Sequence, residues 1–309
     1  MIPNSSLPKI SIIVAVYNCE AHIATCLTSL LNQDYPREKL EIIIADNGST
    51  DKTKDLILQF PVTYVLENTV QSSYAARNTG ARQATGEGLA FFDADQEADP
   101  SWLRQLINGW QDPQYGAFAG KYIPMGQDTN LAGKYWHQQE ASQFRTEFAD
   151  HEIPKLGGGN TLIRRSVFEE LGGFDSQMIS WGDFDFSYRL KKKGYRVKYN
   201  AAALVKHFER TTVKKLLKRE YRIGFGKSSF LAKHPEQKES ICKDGWVAIK
   251  RTALGVLALV YGLIKPLPGK NRKEHLAMIL FDIAMRWMYV LGRMQHILGF
   301  QQRKQPAKW

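Results

Sequence analysis

Four carboxylates crowd the end of one apolar run. In LAFFDADQEADP, residues 89–100, Asp93, Asp95, Glu97 and Asp99 occupy alternate positions. Side chains two apart share a side wherever the backbone stays extended, so Asp93 and Asp95 can act together. A carboxylate pair at a strand end suits a divalent cation that takes oxygen ligands and keeps positions open for phosphate and water. The competing reading is a strand that runs into a solvated turn, because Asp and Pro are ordinary turn residues. Polar groups end two other apolar runs in the same way: Tyr17-Asn18 follows KISIIVAV, and Asp46-Asn47 follows LEIIIA. Later in the chain stand Asp183 and Asp185, in SWGDFDF, and His207, in LVKHFE. A carboxylate can serve as a general base, and a histidine as a metal ligand or as a structural core residue.

Several familiar sites are excluded. No GxxxxGK[ST] phosphate loop occurs, and GGGNTL (157–162) lacks the final glycine of GxGxxG. DADQEAD fails as a calcium loop, because Ala98 stands where glycine is required and Arg104 where glutamate is. The three cysteines, Cys19, Cys26 and Cys242, form no CxxC pair, which argues against a disulfide framework or a zinc site and suits a reducing cytosol.

The elements that must position these groups follow from hydrophobic periodicity. KISIIVAVYN (9–18) is a β-branched run, followed by AHIATCLTSLLNQ, in which Ile23, Leu27, Leu30 and Leu31 recur at helical spacing. LEIIIADNGSTD (40–51) with KTKDLILQF repeats the theme, and so do VTYVLE (62–67) with SSYAARNTGARQAT and GLAFFDAD (88–95) with SWLRQLINGW. Strands with fully apolar centres that alternate with helices predict a parallel sheet covered on both faces. Ligands of such sheets bind beyond the carboxyl ends of the strands, where Tyr17-Asn18, Asp46-Asn47 and Asp93-Asp95 all fall.

With 309 residues, 43% hydrophobic and 24% charged, the chain has the composition of a folded protein with a large core. Its N-terminus shows no basic segment ahead of a leader-like apolar stretch. The net charge of +11 is uneven: residues 1–205 hold 20 Lys/Arg against 24 Asp/Glu, and residues 206–309 hold 22 against 7. A basic tail of this kind meets an anionic partner or is a solvated face. Nucleic acid is disfavoured, because no basic and aromatic interleaving accompanies a recognisable binding module. TALGVLALVYGLI (252–264) is too short for a comfortable membrane span of about 20 residues. In LAMILFDIAMRWMYVLGRMQHILGF (276–300), Asp282, Arg286 and Arg293 fall within about 40° of one another at 100° per residue, one charged stripe on an otherwise apolar helix. Such a helix suits a membrane interface or packing against protein.

Taken in order, VAVYN, ADNGSTD, AARNTGARQATGEGLAFFDAD and GGGNTLIRRSVFEELGGFDSQMISWGDFDFSYRLKKKGYRV resemble the nucleotide-sugar glycosyltransferases of family 2, over roughly residues 9–210. The resemblance implies an α/β chain with the GT-A fold: a Rossmann-like, mostly parallel sheet flanked by helices. A C-terminal helical amphipathic appendage would follow, with a catalytic domain over 1–240 and a basic helical segment over 241–309. It implies Asp95 as the direct ligand of Mn²⁺ or Mg²⁺, with Asp93 holding ribose or a metal-bound water. Asp46 would accept from the base ring, Ala15, Tyr17 and Asn18 would line the base pocket, and Arg77 would lie near the nucleotide and phosphates. Glu97 and Asp99 have no motif role and are expected in a turn.

The family usually carries Glu-Asp after GGFD, with the aspartate as base, whereas this chain reads Trp181-Gly182-Asp183. The resemblance makes Asp183 the general base, with Asp185 as a second candidate. Trp181 could stack on a sugar or belong to the core. It further suggests His207 as a metal or diphosphate contact, and Arg219 and Arg222 as diphosphate contacts. QxxRW, found in processive synthases, is absent, which implies one transfer per encounter. The expected activity is inverting transfer from a nucleotide sugar, UDP favoured and GDP allowed, to a hydroxyl of a lipid-linked or polysaccharide-precursor acceptor. The expected place is the cytosolic face of a membrane, as a peripheral protein on anionic lipid. Transfer to polyprenyl phosphate, or a catalytically idle nucleotide-sugar-binding scaffold, is the alternative.

Overall fold

The structure, a computed structural model, describes residues 6–125, 132–135, 156–208, 212–237, 241–264 and 272–298. Eight strands form one sheet: β1 (Ile10–Val16), β2 (Leu40–Asp46), β3 (Thr63–Leu66), β4 (Gly88–Asp93), β5 (Gln96–Ala98), β6 (Tyr115–Met125), β7 (Thr161–Arg164) and β8 (Arg196–Phe208). Their order is β3-β2-β1-β4-β7-β6-β8-β5. The first four strands are mutually parallel, as their apolar centres predict, while β7 runs antiparallel to β4 and β6, and β5 antiparallel to β8.

The central strands β1, β2 and β4 are buried on both faces, which is why they read as continuous apolar runs rather than alternating ones. On one face Ile12, Val14, Ile44 and Phe92 join Ile23, Leu27 and Leu30 of α1 (Ile23–Leu31) and Trp102 of α4 (Trp102–Leu106). Phe91 points the other way, 5.3 Å from the ring of Phe168 and 5.0 Å from that of Phe174. The remaining helices of this unit are α2 (Thr53–Ile57), α3 (Ser73–Gln83), α5 (Arg165–Glu170) and α6 (Gly182–Lys192). Helix α3 lies close on β1, because Gly80 leaves room for Ile13; a Cβ there would stand 2.6 Å from the Ile13 side chain.

The chain divides into two compact units, and among the described residues the second holds 132–135, 212–237, 241–264 and 272–298. Helix α7 (Val213–Lys233) is thereby grouped with α8 (Ile241–Ile264) and α9 (Arg272–Ile297), whereas the expected boundary lay near residue 240. The cause is backbone approach. A Cβ on Gly224 of α7 would collide with the Tyr289 carbonyl of α9, and one on Gly292 of α9 with the Tyr221 carbonyl of α7. Paired glycines at a crossing let two helix backbones touch.

Candidate active site

The strand order reverses between β1 and β4, and the crevice at such a switch point is where open α/β sheets bind ligands. Register aligns Ala15 with both Ala45 and Asp93, and Val16 with Asp46, so β1, β2 and β4 end level. Ala15 and Tyr17 are half-buried and Asn18 is exposed. Asn18 adopts φ 46°, and its Oδ1 accepts from the Thr50 amide at 2.8 Å, which ties the first strand end to the NGST loop of the second. Asp46 is only 1% exposed. Its Oδ1 accepts from the Ser49 amide and hydroxyl, and its Oδ2 from the Tyr64 hydroxyl at 2.9 Å. A lone pair on Oδ2 is left over for a further donor.

The acids of DADQEAD separate in space. Asp93 Oδ1 meets the Arg77 guanidinium at 2.5 Å, and Arg77, on α3, is 5% exposed. Burial works against the arginine's charge, but Asp93, Tyr74 and Asp183 outweigh it and hold its pKa above the ordinary value. The GGGN segment makes room for this pair: a Cβ on Gly159 would stand 2.7 Å from Asp93 Oδ2, and one on Gly158 3.3 Å from Arg77. Asp95, its side chain 32% exposed, faces His207 Nε2 at 3.5 Å across the β5–β8 pairing. Glu97 sits on β5 rather than in the expected turn, where it pairs with Lys206 at 2.8 Å. Asp99 is a turn residue, accepting from the Ser101 amide and hydroxyl. Negative charge at this edge reaches Cys19: burial, with Asp95 and Asp51 adding to it, pushes that thiol up to about 12. Cys19 is therefore held as the thiol, the poorly nucleophilic form.

Asp183 lies in the first turn of α6, half-buried, and accepts from the Phe184 amide at 3.0 Å and from the Tyr74 hydroxyl at 3.3 Å. Burial raises its pKa, opposed by Arg77 and these donors. Helix α3 thus links two distant acids: Arg77 holds Asp93, its guanidinium lies 5.5 Å from the Tyr74 ring centroid, and Tyr74 holds Asp183. Residues 74 and 77 are three apart and therefore share a helix face. Trp181, which precedes α6, adopts φ 66° and stacks on Phe184 at 4.2 Å. That conformation is unusual for a bulky side chain and worth noting beside a candidate site.

Asp185 is not brought to this surface. It is fully buried and ion-paired with Arg189 at 2.8 Å, because two residues on along a helix turns a side chain about 200° away. Arg219 and Arg222 lie on α7 of the second unit, where Arg219 meets Glu220 at 2.7 Å. Much of the segment 121–156 lies outside the described residues.

Sequence reasoning missed Tyr74 and Asn78. Asn78 bonds both the amide and the carbonyl of Phe174, which fastens the GGFD turn ahead of Asp183 to α3. The signal was present in SYAARN, whose small residues mark a helix packed hard against the sheet. Gly182 also gains a reason, since a Cβ there would stand 2.7 Å from the Tyr74 ring.

Among the described residues no group of three or more His, Cys, Asp and Glu stands ready to hold a metal. Asp95 nonetheless offers a carboxylate suited to Mn²⁺ or Mg²⁺, with remaining positions left to phosphate and water, and His207 beside it adds a nitrogen that Mn²⁺ accepts more readily than Mg²⁺.

Comparison with known proteins agrees with this architecture. Residues 11–172 match the model described as glycosyl transferase family 2, and residues 141–212 one described as the N-terminal domain of galactosyltransferase. Glycosyltransferase AglE of Haloferax volcanii is 31% identical over 227 residues, covering 72% of this chain and 74% of the relative. The dolichyl N-acetyl-alpha-D-glucosaminyl phosphate 3-beta-D-2,3-diacetamido-2,3-dideoxy-beta-D-glucuronosyltransferase of Methanococcus voltae is 27% identical over 248 residues, covering 72% and 74%. Mannosyltransferase PcManGT from Pyrobaculum calidifontis, solved with GDP-Man and Mn²⁺, has the same fold at a TM-score of 0.64 and 21% identity, over 96% of this chain and 89% of that one. TarS 1-349 of S. aureus, solved with UDP, gives 0.51 at 16% identity, over 96% and 93%. With the parallel strands ending level on Asp46 and Asp93, and the family model spanning that entire half of the sheet, the chain belongs to glycosyl transferase family 2 and is a glycosyltransferase of GT-A fold.

Proposed function

We propose that the protein transfers one sugar per encounter from a nucleotide-sugar donor to a hydroxyl of a lipid-linked or polysaccharide-precursor acceptor, with inversion at the anomeric carbon. The observation that carries this reading is the Asp93–Arg77–Tyr74–Asp183 series, which sets a candidate base beside the nucleotide edge of the sheet. Asp183 takes the proton of the acceptor hydroxyl, a role typically worth about 10² to 10⁴ in rate. The acceptor oxygen then bonds to the anomeric carbon from the face opposite the diphosphate, and the nucleoside diphosphate leaves with the electron pair of the broken bond. A divalent cation held by Asp95 and His207 would stabilise the charge of that leaving group. Asp46, Ala15, Tyr17 and Asn18 are assigned to the base, Arg77 and Asp93 to the ribose and phosphates, Trp181 to the acceptor, and Arg219 and Arg222 to the diphosphate.

A UDP-sugar is favoured and a GDP-sugar is the other candidate, since uracil and guanine both offer Asp46 an N–H. The solved neighbours bear UDP and GDP-Man respectively. A lipid-linked acceptor is supported by the Methanococcus voltae relative, whose name places its acceptor sugar on dolichyl phosphate. An anionic membrane surface is supported by the excess of basic residues in 206–309.

Gly182, in the place of the family's glutamate, is the feature that favours an idle scaffold; the Tyr74 ring, seated where a side chain at 182 would go, gives that glycine a packing reason instead. A panel of UDP- and GDP-sugars with Mn²⁺, scored by nucleotide release, tests the proposal. Asp95→Ala is expected to abolish metal-dependent turnover, and Asp183→Asn to stop transfer while nucleotide still binds. Full transfer by Asp183→Asn would remove the base assignment, and no release from any donor would favour the scaffold.

A further inference from the structure

Helix α9 is amphipathic in the reverse sense. Its charged stripe, expected from the sequence at Asp282, Arg286 and Arg293, faces protein: Arg293 is 2% exposed and bonded to Asp244 of α8 and Ser228 of α7. Asp282 pairs with Arg286 at 2.8 Å and accepts from the Tyr135 hydroxyl at 3.4 Å. Between Leu276 and Leu298 the exposed residues are Leu280, Trp287, Leu291, Met294, Ile297 and Leu298, every one apolar. Five of these, at 280, 287, 291, 294 and 298, fall within about 60° of one another at 100° per residue.

Helix α8 adds apolar residues to the outward side, here beside the exposed bases Lys243, Lys250 and Arg251. Its packed side carries Asp244, Ala248, Thr252 and Gly255, the last against Ile279 and Ile283 of α9. Its other side exposes Trp246 at 70%, Leu257 at 65%, Leu254 at 50% and Ile249 at 49%. Trp287 Nε1 donates to Thr252 Oγ1 at 3.0 Å, which ties the outer stripe of α9 to α8. A helix whose only partners are protein and water puts its charges outward.

We infer that the outward faces of α8 and α9 form a surface that seats in the interfacial layer of an anionic bilayer. This rests on the reading that the protein works at a membrane, and it names the surface that does so. Charge selects lipid over a second copy of the chain. Lys243, Lys250 and Arg251 are exposed on α8, and no exposed carboxylate lies among residues 242–257 or 276–298 to pair with them across a self-interface. Anionic headgroups supply that counter-charge, and indole rings at 246 and 287 suit the headgroup level. No helix among the described residues is long and apolar enough to cross a membrane, so the helices lie in the interface rather than span it.

Flotation of the full chain with phosphatidylcholine vesicles, with and without phosphatidylglycerol, tests this. The wild type is expected to float with the anionic vesicles. Leu257→Glu/Leu291→Glu should lower the bound fraction at least about tenfold, and Leu58→Glu, at an equally exposed leucine of the other unit, should leave it unchanged. Lys243→Glu/Lys250→Glu should weaken anionic binding by at least about fivefold per residue, the factor equivalent to about 1 kcal/mol for each basic group at such a surface. Thermal melts verify that each variant is folded. If the wild type floats and the Leu257→Glu/Leu291→Glu protein floats equally, the surface is wrong although the membrane reading stands. If the wild type does not float, the membrane reading itself fails. A wild-type dimer by light scattering that Leu257→Glu/Leu291→Glu turns into monomer would assign the face to a second copy and overturn the inference.

Discussion

The guanidinium of Arg77 lies 2.5 Å from Asp93 Oδ1, with the arginine side chain 6% exposed and the aspartate 29%. Removing one member of a largely buried pair strands the other's charge, at a cost of roughly 3–5 kcal/mol. Arg77→Ala is therefore expected to lower the thermal midpoint by roughly 5–10 °C, a shift scanning fluorimetry resolves. Arg77→Lys keeps the charge and loses the planar fork. It should melt closer to wild type while nucleotide release falls about 10²-fold, because Asp93 is no longer oriented.

Tyr74 donates to Asp183 Oδ1 at 3.3 Å, and this bond favours the ionised carboxylate against the burial that raises its pKa. Tyr74→Phe removes only the hydroxyl, so the pKa of Asp183 should climb further. A base works only when ionised, and activity is lost as pH falls through that raised value. The acid limb of the pH–rate profile should move to higher pH in Tyr74→Phe, with the plateau rate largely kept. A lowered plateau with an unmoved limb would make the tyrosine a packing residue alone.

The same burial has the opposite sign for stability. With its folded pKa above the unfolded one, Asp183 favours the native state most below the unfolded value, and that contribution is lost as pH rises through the folded value. At neutral pH, above the unfolded value, burying this carboxyl is a liability that Asp183→Asn relieves. The variant is expected to melt higher than wild type at neutral pH, and the difference should shrink in acid.

Gly182 abuts the Tyr74 ring, where an added Cβ would stand 2.7 Å away. Gly182→Ala is expected to destabilise by about 1–3 kcal/mol through overpacking. Tyr74→Ala should absorb most of that cost, so a double-mutant cycle read by chemical denaturation should be strongly non-additive.

Asp185 contrasts with Asp183 although the two are neighbours on one helix. It is fully buried against Arg189, whose guanidinium also donates to the carbonyls of Leu171 and Gly173. Asp185→Ala should cost about 3–5 kcal/mol of stability. The protein that remains folded at low temperature should still release nucleotide at near wild-type rate, which would separate a structural aspartate from the base.

The amino-acid sequence alone determined the four parallel strands, the helices between them, and the level at which Asp46 and Asp93 end their strands. These follow from local periodicity and from a topology rule that short-range patterns obey. It also located the charged stripe of α9. Only tertiary structure decided which way that stripe faces, because an angle around a helix says which residues share a side and not what covers it; packing against α7 and α8 turned Arg293 inward. Likewise β5 and β8 join residues more than a hundred positions apart to set His207 beside Asp95, a pairing no local pattern encodes. The link from Asp93 through Arg77 and Tyr74 to Asp183 is of the same kind, since one helix turn touches both acids only once Gly80 has let it down onto the sheet.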